Sequence, residues 1–551
     1  MIRRFFFIVA SAGLLNLFLG MPSGFARDLT PTASDPRISV RLLETVRDPE
    51  RPCRIAKDPR NDTLYYMTLG GSISRLRIEP GDNLSTRSLV ADASSHGLTN
   101  TMGFAIGPDG TFYVVGNHTS STNNAFTWAV VMRGTQQSGS EKRAWSVVAY
   151  TAAYARSKTA FDHVFNAVEV SPDGRTLYLN SGSRTDHGEI QAGNGAFPNL
   201  REESLTATIF RVPADGTNTF LPRDLDRLRA EGRIFCEGIR NTFDLRFSPS
   251  GELFGTENGP DRGMSDELNW LREGRHYGFP WRMGGTDNPQ QYSDYDPAKD
   301  KLLDPLFTAV KAGYYSNDPT FPPAPARMME PVQNLGPDAD KFRDSFDGLV
   351  KDASDLGLPF ATFTAHRSPL GIAFDEKRAM AAPYQGDAFV MGFSSGDATG
   401  DRFQGPFEDA SSDLLHLHLK KVGENYEATV SKLVTGLNNP IDNEVIANRI
   451  FIICFGYEYS IWEVTMPAVN VIELSNPTWT PAGYSFTFNV NAAGVVRLEI
   501  STDLLEWKSV WSAALPAGSS YFIDGSASPI SGSRYYRAVR EPDVAMAPGT
   551  R

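Results

Sequence analysis

Short apolar segments joined by tight polar turns recur six times along the chain, in units spanning 54–66, 103–115, 167–179, 244–254, 371–390 and 441–453. The turns at 108–110 and 172–174 read Pro-Asp-Gly, and the turn at 249–251 reads Pro-Ser-Gly. Pro presets the first turn angle, Asp bonds back to the backbone and Gly accepts a positive φ, so each unit predicts two antiparallel strands. Six such units predict an all-β six-bladed β-propeller over residues 40–467. Unrelated hairpins of a β-sandwich are the alternative, although a sandwich requires no repeated unit.

The longest interval between units separates the fourth from the fifth. Residues 286–360 in this interval are rich in Pro, Asp and Tyr and are predicted to form an insertion. Insertions between blades lie at an end of a propeller, where they can cover a central site.

The C-terminal segment has a different pattern. Apolar and polar residues alternate strictly over 484–490 and 496–500, and more loosely over 535–539. Strict alternation is typical of half-buried antiparallel strands, so residues 469–541 are predicted to form a small β-sandwich. The segment has no His or Cys, which favours a surface-binding or spacer module over a catalytic one.

The N-terminus has the pattern of a secretory signal. Arg3 and Arg4 precede an apolar run over 5–20, and small residues follow up to Ala26. This order predicts a signal peptide over residues 1–26, cleaved near Ala26. An uncleaved membrane anchor is the alternative, but the run is short for a bilayer span. We therefore expect a periplasmic or secreted protein with no integral membrane segment after cleavage.

Composition excludes several classes of function. The 551 residues contain 53 Lys and Arg against 65 Asp and Glu, a formal net charge of -12, which argues against a nucleic-acid partner. Three cysteines allow at most one disulfide. The sequence contains no zinc-type His/Cys spacing, no GxSxG, no P-loop and no dinucleotide-binding glycine pattern.

The densest group of polar residues lies between 238 and 280. Gly259 and Pro260 force an irregular backbone at the end of a strand, which frees carbonyl oxygens from ladder bonding. Carbonyl oxygens and the neighbouring carboxylates of Asp266 and Glu267 are the hard ligands that calcium prefers. A solvated turn is the alternative for Asp266 and Glu267 taken alone.

A candidate general base stands at the start of the third unit. His163 follows Asp162, and strand starts in a propeller point into the central channel. Histidine accepts a proton near neutral pH, and a carboxylate beside it would stabilise its charged form. A lone histidine is more often structural, and His187 and His366 are equal competitors.

Four ordered motifs in this region resemble those of the glucose/sorbosone dehydrogenases. They are Gly-Ile-Arg-Asn at 238–241, Glu-Asn-Gly-Pro at 257–260, Asp-Glu-Leu-Asn at 266–269 and Tyr-Gly-Phe-Pro at 277–280. Members of that family are soluble, PQQ-dependent six-bladed propellers, and the resemblance extends over residues 45–465.

The resemblance implies roles for these residues. His163 would remove the hydroxyl proton at the anomeric carbon of the sugar while hydride passes to the quinone. Arg240 would stabilise the charge that develops on the quinone oxygen, and Asn241 and Asp162 would position cofactor and sugar. The carbonyls of two residues would hold the calcium ion that polarises PQQ, namely Gly259 and Pro260. Four further residues would hold structural calcium, namely Asp266, Glu267, Tyr277 and Asp287.

Two functions follow as hypotheses. The first is a secreted PQQ- and calcium-dependent oxidoreductase that oxidises an aldose or related sugar or polyol and passes electrons to an external acceptor. The second is a non-enzymatic secreted propeller that binds carbohydrate or protein and keeps calcium as scaffold. The Asp162–His163 and Arg240–Asn241 pairs favour the enzyme, whereas Asn439, which stands where the family commonly has Arg, favours the binding module.

Overall fold

The computed structural model describes residues 30–46, 50–78, 85–121, 124–393, 406–456, 459–469, 472–490, 494–516, 518–527 and 533–540. The predicted signal peptide over 1–26 lies outside the described residues. The described residues up to 379, together with those from 384 to 467, form one compact unit. Residues 380–383 and the described residues from 468 onward form a second.

Strands dominate both units. Those in the first half of the chain are β1 (Thr32–Ala33), β2 (Ser39–Val46), β3 (Pro52–Asp58), β4 (Thr63–Thr68), β5 (Ile73–Ile78), β6 (Ser85–Ala91), β7 (Thr101–Ile106), β8 (Phe112–Thr119), β9 (Phe126–Gln136), β10 (Arg143–Thr151), β11 (Tyr154–Ala155), β12 (Phe165–Val170), β13 (Thr176–Ser181), β14 (Thr208–Pro213), β15 (Thr219–Leu221), β16 (Ile234–Glu237), β17 (Thr242–Phe247), β18 (Leu253–Glu257) and β19 (Glu267–Leu271).

The later strands are β20 (Arg282–Met283), β21 (Thr286–Asp287), β22 (Gln333–Pro337), β23 (Lys341–Arg343), β24 (Val350–Asp352), β25 (Phe360–Ala361), β26 (Pro369–Phe374), β27 (Ala388–Gly392), β28 (Asp413–Val422), β29 (Asn425–Thr435), β30 (Pro440–Ile446), β31 (Arg449–Cys454), β32 (Tyr459–Thr465), β33 (Ile472–Thr480), β34 (Gly483–Val490), β35 (Gly494–Ser501), β36 (Lys508–Leu515), β37 (Gly518–Asp524) and β38 (Tyr535–Arg540). The helices are α1 (Ala93–His96), α2 (Leu225–Ala230) and α3 (Thr308–Lys311), with 3₁₀ turns at Pro289–Gln291, Pro297–Lys299 and Pro406–Glu408.

Six mostly antiparallel sheets of the first unit form a closed ring. Their innermost strands contact one another in the order β3, β7, β12, β17, β26 and β30, and β30 contacts β3 again. A ring of radially arranged sheets that closes after six is a six-bladed β-propeller, so the predicted fold is confirmed. The six repeated sequence units form the two innermost strands of each blade, from β3–β4 to β30–β31.

The inner strands have the sequence character that their position demands. Every residue of β3, β26 and β30 is buried, including charged residues such as Arg54 in β3 and Asp442 in β30, so these strands show no alternation of buried and exposed positions. Each inner strand also has a register shift against its neighbour near its first residues. Such bulges redirect side chains, and here they occur at the same end of all six blades.

The ring is closed by pairing distant parts of the chain. Strand β2, near the start of the chain, pairs antiparallel with β32 and forms the outer edge of the sixth blade. Main-chain hydrogen bonds between β2 and β32 therefore join the two ends of the first unit.

The predicted insertion over 286–360 is largely irregular. It contains α3 and the short hairpin β23–β24, and its strand β22 runs parallel to β29 at the outer edge of the fifth blade. The short strand β25 pairs with β22 beyond it.

The second unit contains two three-stranded antiparallel sheets, ordered β33-β34-β37 and β36-β35-β38. Both sheets contribute to one hydrophobic cluster formed by Phe486, Phe488, Val490, Val496 and Leu498. The three alternating segments are strands as expected, while the assignment of this unit as a β-sandwich stays a prediction.

The cysteines Cys53, Cys236 and Cys454 are all buried, and none forms a disulfide in the described part of the chain. Burial raises the pKa of the Cys53 thiol to about 12, so this side chain packs as a small apolar group. Among the described helices, none has the length and apolar character needed to cross a membrane.

Candidate functional site

The candidate site lies where the inner strands begin. His163 stands two residues before β12, Arg240 and Asn241 lie directly before β17, and His366 stands three residues before β26. Inner strands of a propeller run in the same direction along the channel, so their starts meet at one end. The electrostatic interactions agree, because Asp186 and Arg240 act on both histidines.

His163 is a half-buried, neutral imidazole with a defined tautomer. Its Nδ1 lies 3.1 Å from the hydroxyl oxygen of Ser183, and that hydroxyl donates to the Thr185 carbonyl at 2.8 Å. Because the Ser183 proton is already used, Nδ1 must carry the ring proton, and Nε2 keeps its lone pair. Burial and the nearby Arg240 guanidinium lower the pKa of His163 to about 3. The imidazole is therefore neutral at neutral pH, with the Nε2 lone pair available.

The carboxylate of Asp162 is engaged elsewhere. It accepts hydrogen bonds from the backbone amides of Ser157 at 2.6 Å and Lys158 at 2.8 Å, and Arg156 approaches it to 3.4 Å. Burial raises the pKa of Asp162 above its usual range. Asp162 thus orders the loop before His163, and the polar contact of the imidazole is Ser183 rather than the expected carboxylate.

Arg240 is buried and held along one edge. Its Nε donates to the Asp186 carbonyl at 2.7 Å, and its Nη2 donates to the Asp186 carboxylate at 2.9 Å. Its Nη1 donates to the Asn258 carbonyl at 3.0 Å. Only 4% of the residue is exposed. Of the five N–H donors of a guanidinium, three are used in these bonds and two remain.

The side chain of Asn241 is fixed by other amides. It donates to the Asn258 side-chain oxygen at 3.1 Å and accepts from Asn166 Nδ2 at 2.8 Å. Asn258 in turn donates to the Pro369 carbonyl at 2.9 Å. These bonds link the starts of β12, β17 and β26 into one polar network.

Glu257 binds the backbone at Arg240 and Asn241. One carboxylate oxygen accepts from the backbone amides of Arg240, at 2.6 Å, and Asn241, and the other accepts from the Thr242 hydroxyl at 2.6 Å. Burial raises the pKa of Glu257 to about 7. Sequence reasoning placed Glu257 in a motif but gave it no role.

Gly259 and Pro260 form the irregular end of β18 that the sequence predicted. The Gly259 amide donates to Asp266 Oδ1 at 2.7 Å, and a side chain at position 259 would come within 3.0 Å of that oxygen. The Pro260 carbonyl accepts from the Arg262 amide at 2.7 Å. Within the described residues, the Gly259 carbonyl accepts no hydrogen bond.

The predicted calcium carboxylates bind protein groups. Asp266 Oδ2 accepts from the Ser368 amide at 2.8 Å, while Glu267 accepts from the Gly284 amide at 2.7 Å and from Asn269 at 2.9 Å. Burial raises the pKa of Asp266 to about 7 and that of Glu267 to about 8. Both carboxylates therefore connect separate loops.

The other two predicted ligands lie in separate contacts. The Tyr277 hydroxyl donates to the Trp270 carbonyl at 2.5 Å and accepts from the Arg272 amide at 2.7 Å. Asp287 is exposed and pairs with Arg282 at 2.7 Å. In the described ranges no three His, Cys, Asp or Glu residues form a group able to hold a metal, so the four do not form one cluster. The structural calcium site stays a prediction.

The insertion covers this end of the propeller. Tyr315 stacks on His187 with ring centroids 3.7 Å apart, and its hydroxyl donates to Asp186 at 3.1 Å. Phe307 packs on His366 at 4.3 Å. Burial lowers the pKa of His366 to about 4, and its Nε2 has no hydrogen-bond partner in the described part of the chain. Residues of the insertion thus contact the candidate site, while the insertion and its bounds at 286–360 stay a prediction.

The local structure gives a reason for an asparagine at position 439. Its backbone φ is +51°, and it is 1% exposed. Its side chain donates to the Phe393 carbonyl at 3.1 Å, and its own carbonyl accepts from the Phe455 amide at 2.8 Å. Asparagine tolerates this left-handed backbone better than most residues.

Sequence comparison finds a match to one protein family over part of the chain. The sequence model described as Glucose / Sorbosone dehydrogenase matches residues 71–317. The predicted resemblance to this family is confirmed. The matched region includes His163, Arg240 and the Gly259–Pro260 turn. Quinoprotein glucose dehydrogenase B of Acinetobacter calcoaceticus is 25% identical over 280 residues, covering 46% of this chain and 56% of that protein. The chain thus spans little more than half the length of this glucose/sorbosone dehydrogenase relative.

Solved structures with related architecture include two dehydrogenases. The holo form of the pyranose dehydrogenase PQQ domain from Coprinopsis cinerea gives a TM-score of 0.49 at 12% identity, over 80% of this chain and 98% of that chain. The apo form of the soluble aldose sugar dehydrogenase from Escherichia coli gives 0.44 at 14% identity, over 78% and 99%.

Sequence reasoning missed two side chains of the site. Asp186 bonds Arg240 from an irregular loop 54 residues earlier in the chain, and Tyr315 reaches it from the insertion. The available signal was the Asp-His-Gly-Glu sequence at 186–189, in which only His187 was singled out.

Proposed function

We propose that this chain is an exported quinoprotein dehydrogenase that oxidises a CH–OH group of an aldose or related sugar or polyol. The carrying observation is a neutral His163, with a free Nε2 lone pair, in the electrostatic field of the buried Arg240. A base and a fixed cation at one channel end are what removal of a hydroxyl proton requires. The match to the glucose/sorbosone dehydrogenases supports the same reaction class.

His163 acts as the general base. Its lone pair is available at Nε2, because Ser183 holds the proton on Nδ1. The low pKa keeps the imidazole neutral before the reaction. His163 therefore does not have to lose a proton before the substrate binds. The hydroxyl proton of the sugar then moves to Nε2, and Asp186 lies close enough to favour the charged imidazolium.

The donors at this end fit PQQ. Arg240 keeps two N–H groups, Asn241 presents a fixed amide, and His366 has an unpartnered Nε2. These groups suit the oxygens of a planar anionic quinone. When bound, PQQ supplies a two-electron acceptor, and an external acceptor regenerates it. Arg240 and Asn241 hold and orient the cofactor, while Phe307 and Tyr315 restrict the access of water.

Calcium is proposed as the second cofactor. The Gly259 carbonyl has no hydrogen bond within the described residues, and the Pro260 carbonyl keeps one lone pair beyond its bond to Arg262. Both are oxygen ligands of the kind calcium prefers. Because an ion that binds only the folded state stabilises it, EDTA should lower the melting temperature. An unchanged melting curve would count against calcium.

A non-enzymatic binding propeller is the second candidate. PQQ carries three carboxylates, and the cation of Arg367 is already paired with Asp409 and Asp413. Asn439 offers an amide instead of a further charge. Loss of cationic partners should weaken binding of an anionic cofactor, which favours this alternative.

Export is proposed from residues 1–26. Mass spectrometry of the secreted protein should find a chain beginning near residue 27, whereas an intact Met1 would refute cleavage.

Dye-linked oxidation across a panel of sugars and polyols tests the function. Purified chain is reconstituted with PQQ and calcium, and reduction of the dye is followed optically. We expect turnover with at least one aldose that depends on both additions. Full PQQ binding without turnover on any member of the panel would favour the binding module.

A further inference from the structure

Asp186 contacts more residues of the candidate site than any residue that the sequence analysis assigned to it. It is fully buried, and its carboxylate accepts from Arg240 Nη2 at 2.9 Å, the Asp261 amide at 3.0 Å and the Tyr315 hydroxyl at 3.1 Å. His187 Nδ1 lies 2.8 Å from the same carboxylate. Its backbone carbonyl accepts from Arg240 Nε. One residue thus gathers donors from three separate segments of the chain.

The geometry limits the motion of the Arg240 guanidinium. Two of its nitrogens, Nε and Nη2, bind the carbonyl and the carboxylate of the same residue, Asp186. A planar fork held at two points on one edge cannot rotate about its own axis without breaking both bonds. Asn258 holds the third nitrogen. The two remaining N–H groups therefore keep fixed directions.

The insertion is fastened to the same carboxylate. Tyr315 donates its hydroxyl to Asp186 and stacks on His187 at an interplanar angle of 10°. A second attachment runs through Asp261, whose carboxylate accepts from the Ala309 amide at 2.8 Å and whose own amide donates to Asp186. Any change at Asp186 therefore affects both the guanidinium and the cover of the site.

We propose that Asp186 is the positioning residue for Arg240, and that Tyr315 couples this position to closure of the insertion over the site. The inference rests on the proposed dehydrogenase function. A guanidinium held in place before the reaction stabilises developing negative charge without reorganisation, so its orientation affects turnover more than ground-state binding.

This role predicts opposite effects on turnover and on cofactor affinity. Removing the charge of Asp186 leaves Arg240 less neutralised, which favours an anionic cofactor, but it also weakens the bond to Nη2, one of the three contacts that fix the guanidinium. Asp186→Asn should lower kcat by about tenfold to hundredfold. The affinity for PQQ should stay within about threefold of wild type or increase, and KM should change little. A merely structural role would weaken PQQ binding and turnover together.

The test compares three full-length variants. Calorimetry measures PQQ binding to the apoprotein with calcium, and dye-linked assays give kcat and KM. Asp58→Asn is the matched control, because the buried Asp58 also pairs with an arginine, Arg60, at 2.6 Å, and is the last residue of β3, at the other end of the inner strands from the site. Its activity should equal that of wild type. Tyr315→Phe keeps the stack on His187 but removes the hydroxyl, and should lower kcat by a smaller factor, about threefold to tenfold.

The outcomes separate this inference from the proposed function. An Asp186→Asn chain with wild-type kcat, or one that loses PQQ affinity and kcat in parallel, overturns the positioning role while leaving the dehydrogenase intact. A wild-type chain that binds no PQQ overturns both. If Asp186→Asn does not fold, Tyr315→Phe decides alone, and an unchanged kcat contradicts the proposal.

Discussion

Two buried arginines stand before inner strands of the propeller, and their surroundings differ. Arg367, before β26, lies 2.8 Å from Asp409 and also pairs with Asp413 at 2.5 Å, so two carboxylates surround one cation. Arg240, before β17, has one carboxylate partner and two backbone carbonyl contacts. Arg367 belongs to a buried network in which Lys432 also pairs with Asp409, at 2.6 Å, whereas Arg240 keeps N–H donors beside a neutral histidine. The number of carboxylates, more than the position in the blade, separates a structural arginine from a candidate catalytic one.

The largest expected effect is on catalysis beside Arg240. His163→Ala removes the base, and loss of a general base typically lowers the rate about a hundredfold to ten-thousandfold. The melting temperature should change little, because His163 is half-buried and its side chain has one hydrogen bond, to Ser183. Steady-state dye reduction and thermal unfolding measure the two quantities. Wild-type turnover in the variant would remove His163 from the mechanism.

The next effect tests the structural arginine. Arg367→Met leaves the buried Asp413 without its paired cation, while Asp409 keeps Lys432 at 2.6 Å, and breaking a buried pair in this way costs about 3 to 5 kcal/mol of unfolding free energy. Denaturant unfolding measures this loss. The folded fraction should still bind PQQ as wild type does. Loss of PQQ affinity in a folded Arg367→Met chain would mean that both arginines serve the cofactor, and the contrast between them would fail.

A smaller effect concerns the carboxylate beneath Arg240. The folded-state pKa of Glu257, about 7, lies above its ordinary value of 4.5, so the folded chain binds more protons than the unfolded chain between these values. This contribution to stability is present below pH 4.5 and is lost as the pH rises through about 7. Glu257→Gln should flatten the dependence of unfolding free energy on pH between 5 and 8 by more than about 1 kcal/mol. An identical pH slope in both chains would contradict this protonation behaviour.

The smallest effect is expected far from both arginines. We propose that the predicted module over 469–541 is separable, because it carries its own strands and none of the site residues. Deleting the chain from residue 469 onward should leave the specific dye-linked activity unchanged. A truncated chain that folds, as judged by circular dichroism, but has lost turnover would show that the module contributes to the site.

The blades could be predicted from sequence because their information is local. In each unit an apolar strand, a turn and a second strand lie within about 20 residues, and all six units form the inner strands of blades. The pairing of β2 with β32 could not be predicted. The two strands lie about 420 residues apart, and the sequence pattern of neither indicates which strand it pairs with.

The candidate site divides in the same way. His163, Arg240 and Asn241 could be identified because strand starts in a propeller share one end. Asp186, the carboxylate partner of Arg240, could not be identified, since it lies in an irregular loop without periodicity. Asp266 and Glu267 are predicted to bind calcium because adjacent carboxylates suggest a metal; backbone amides donate to both carboxylates, and calcium binding stays a prediction. Sequence adjacency does not reveal which donor a carboxylate will find.

Calorimetric titration of PQQ into the purified wild-type chain, with and without calcium, tests the central claim most directly. If Arg240 and Asn241 form a cofactor site, PQQ should bind with a Kd of about 1 μM or tighter when calcium is present, and more weakly after EDTA treatment. Absence of binding at this concentration with calcium present would contradict the dehydrogenase assignment.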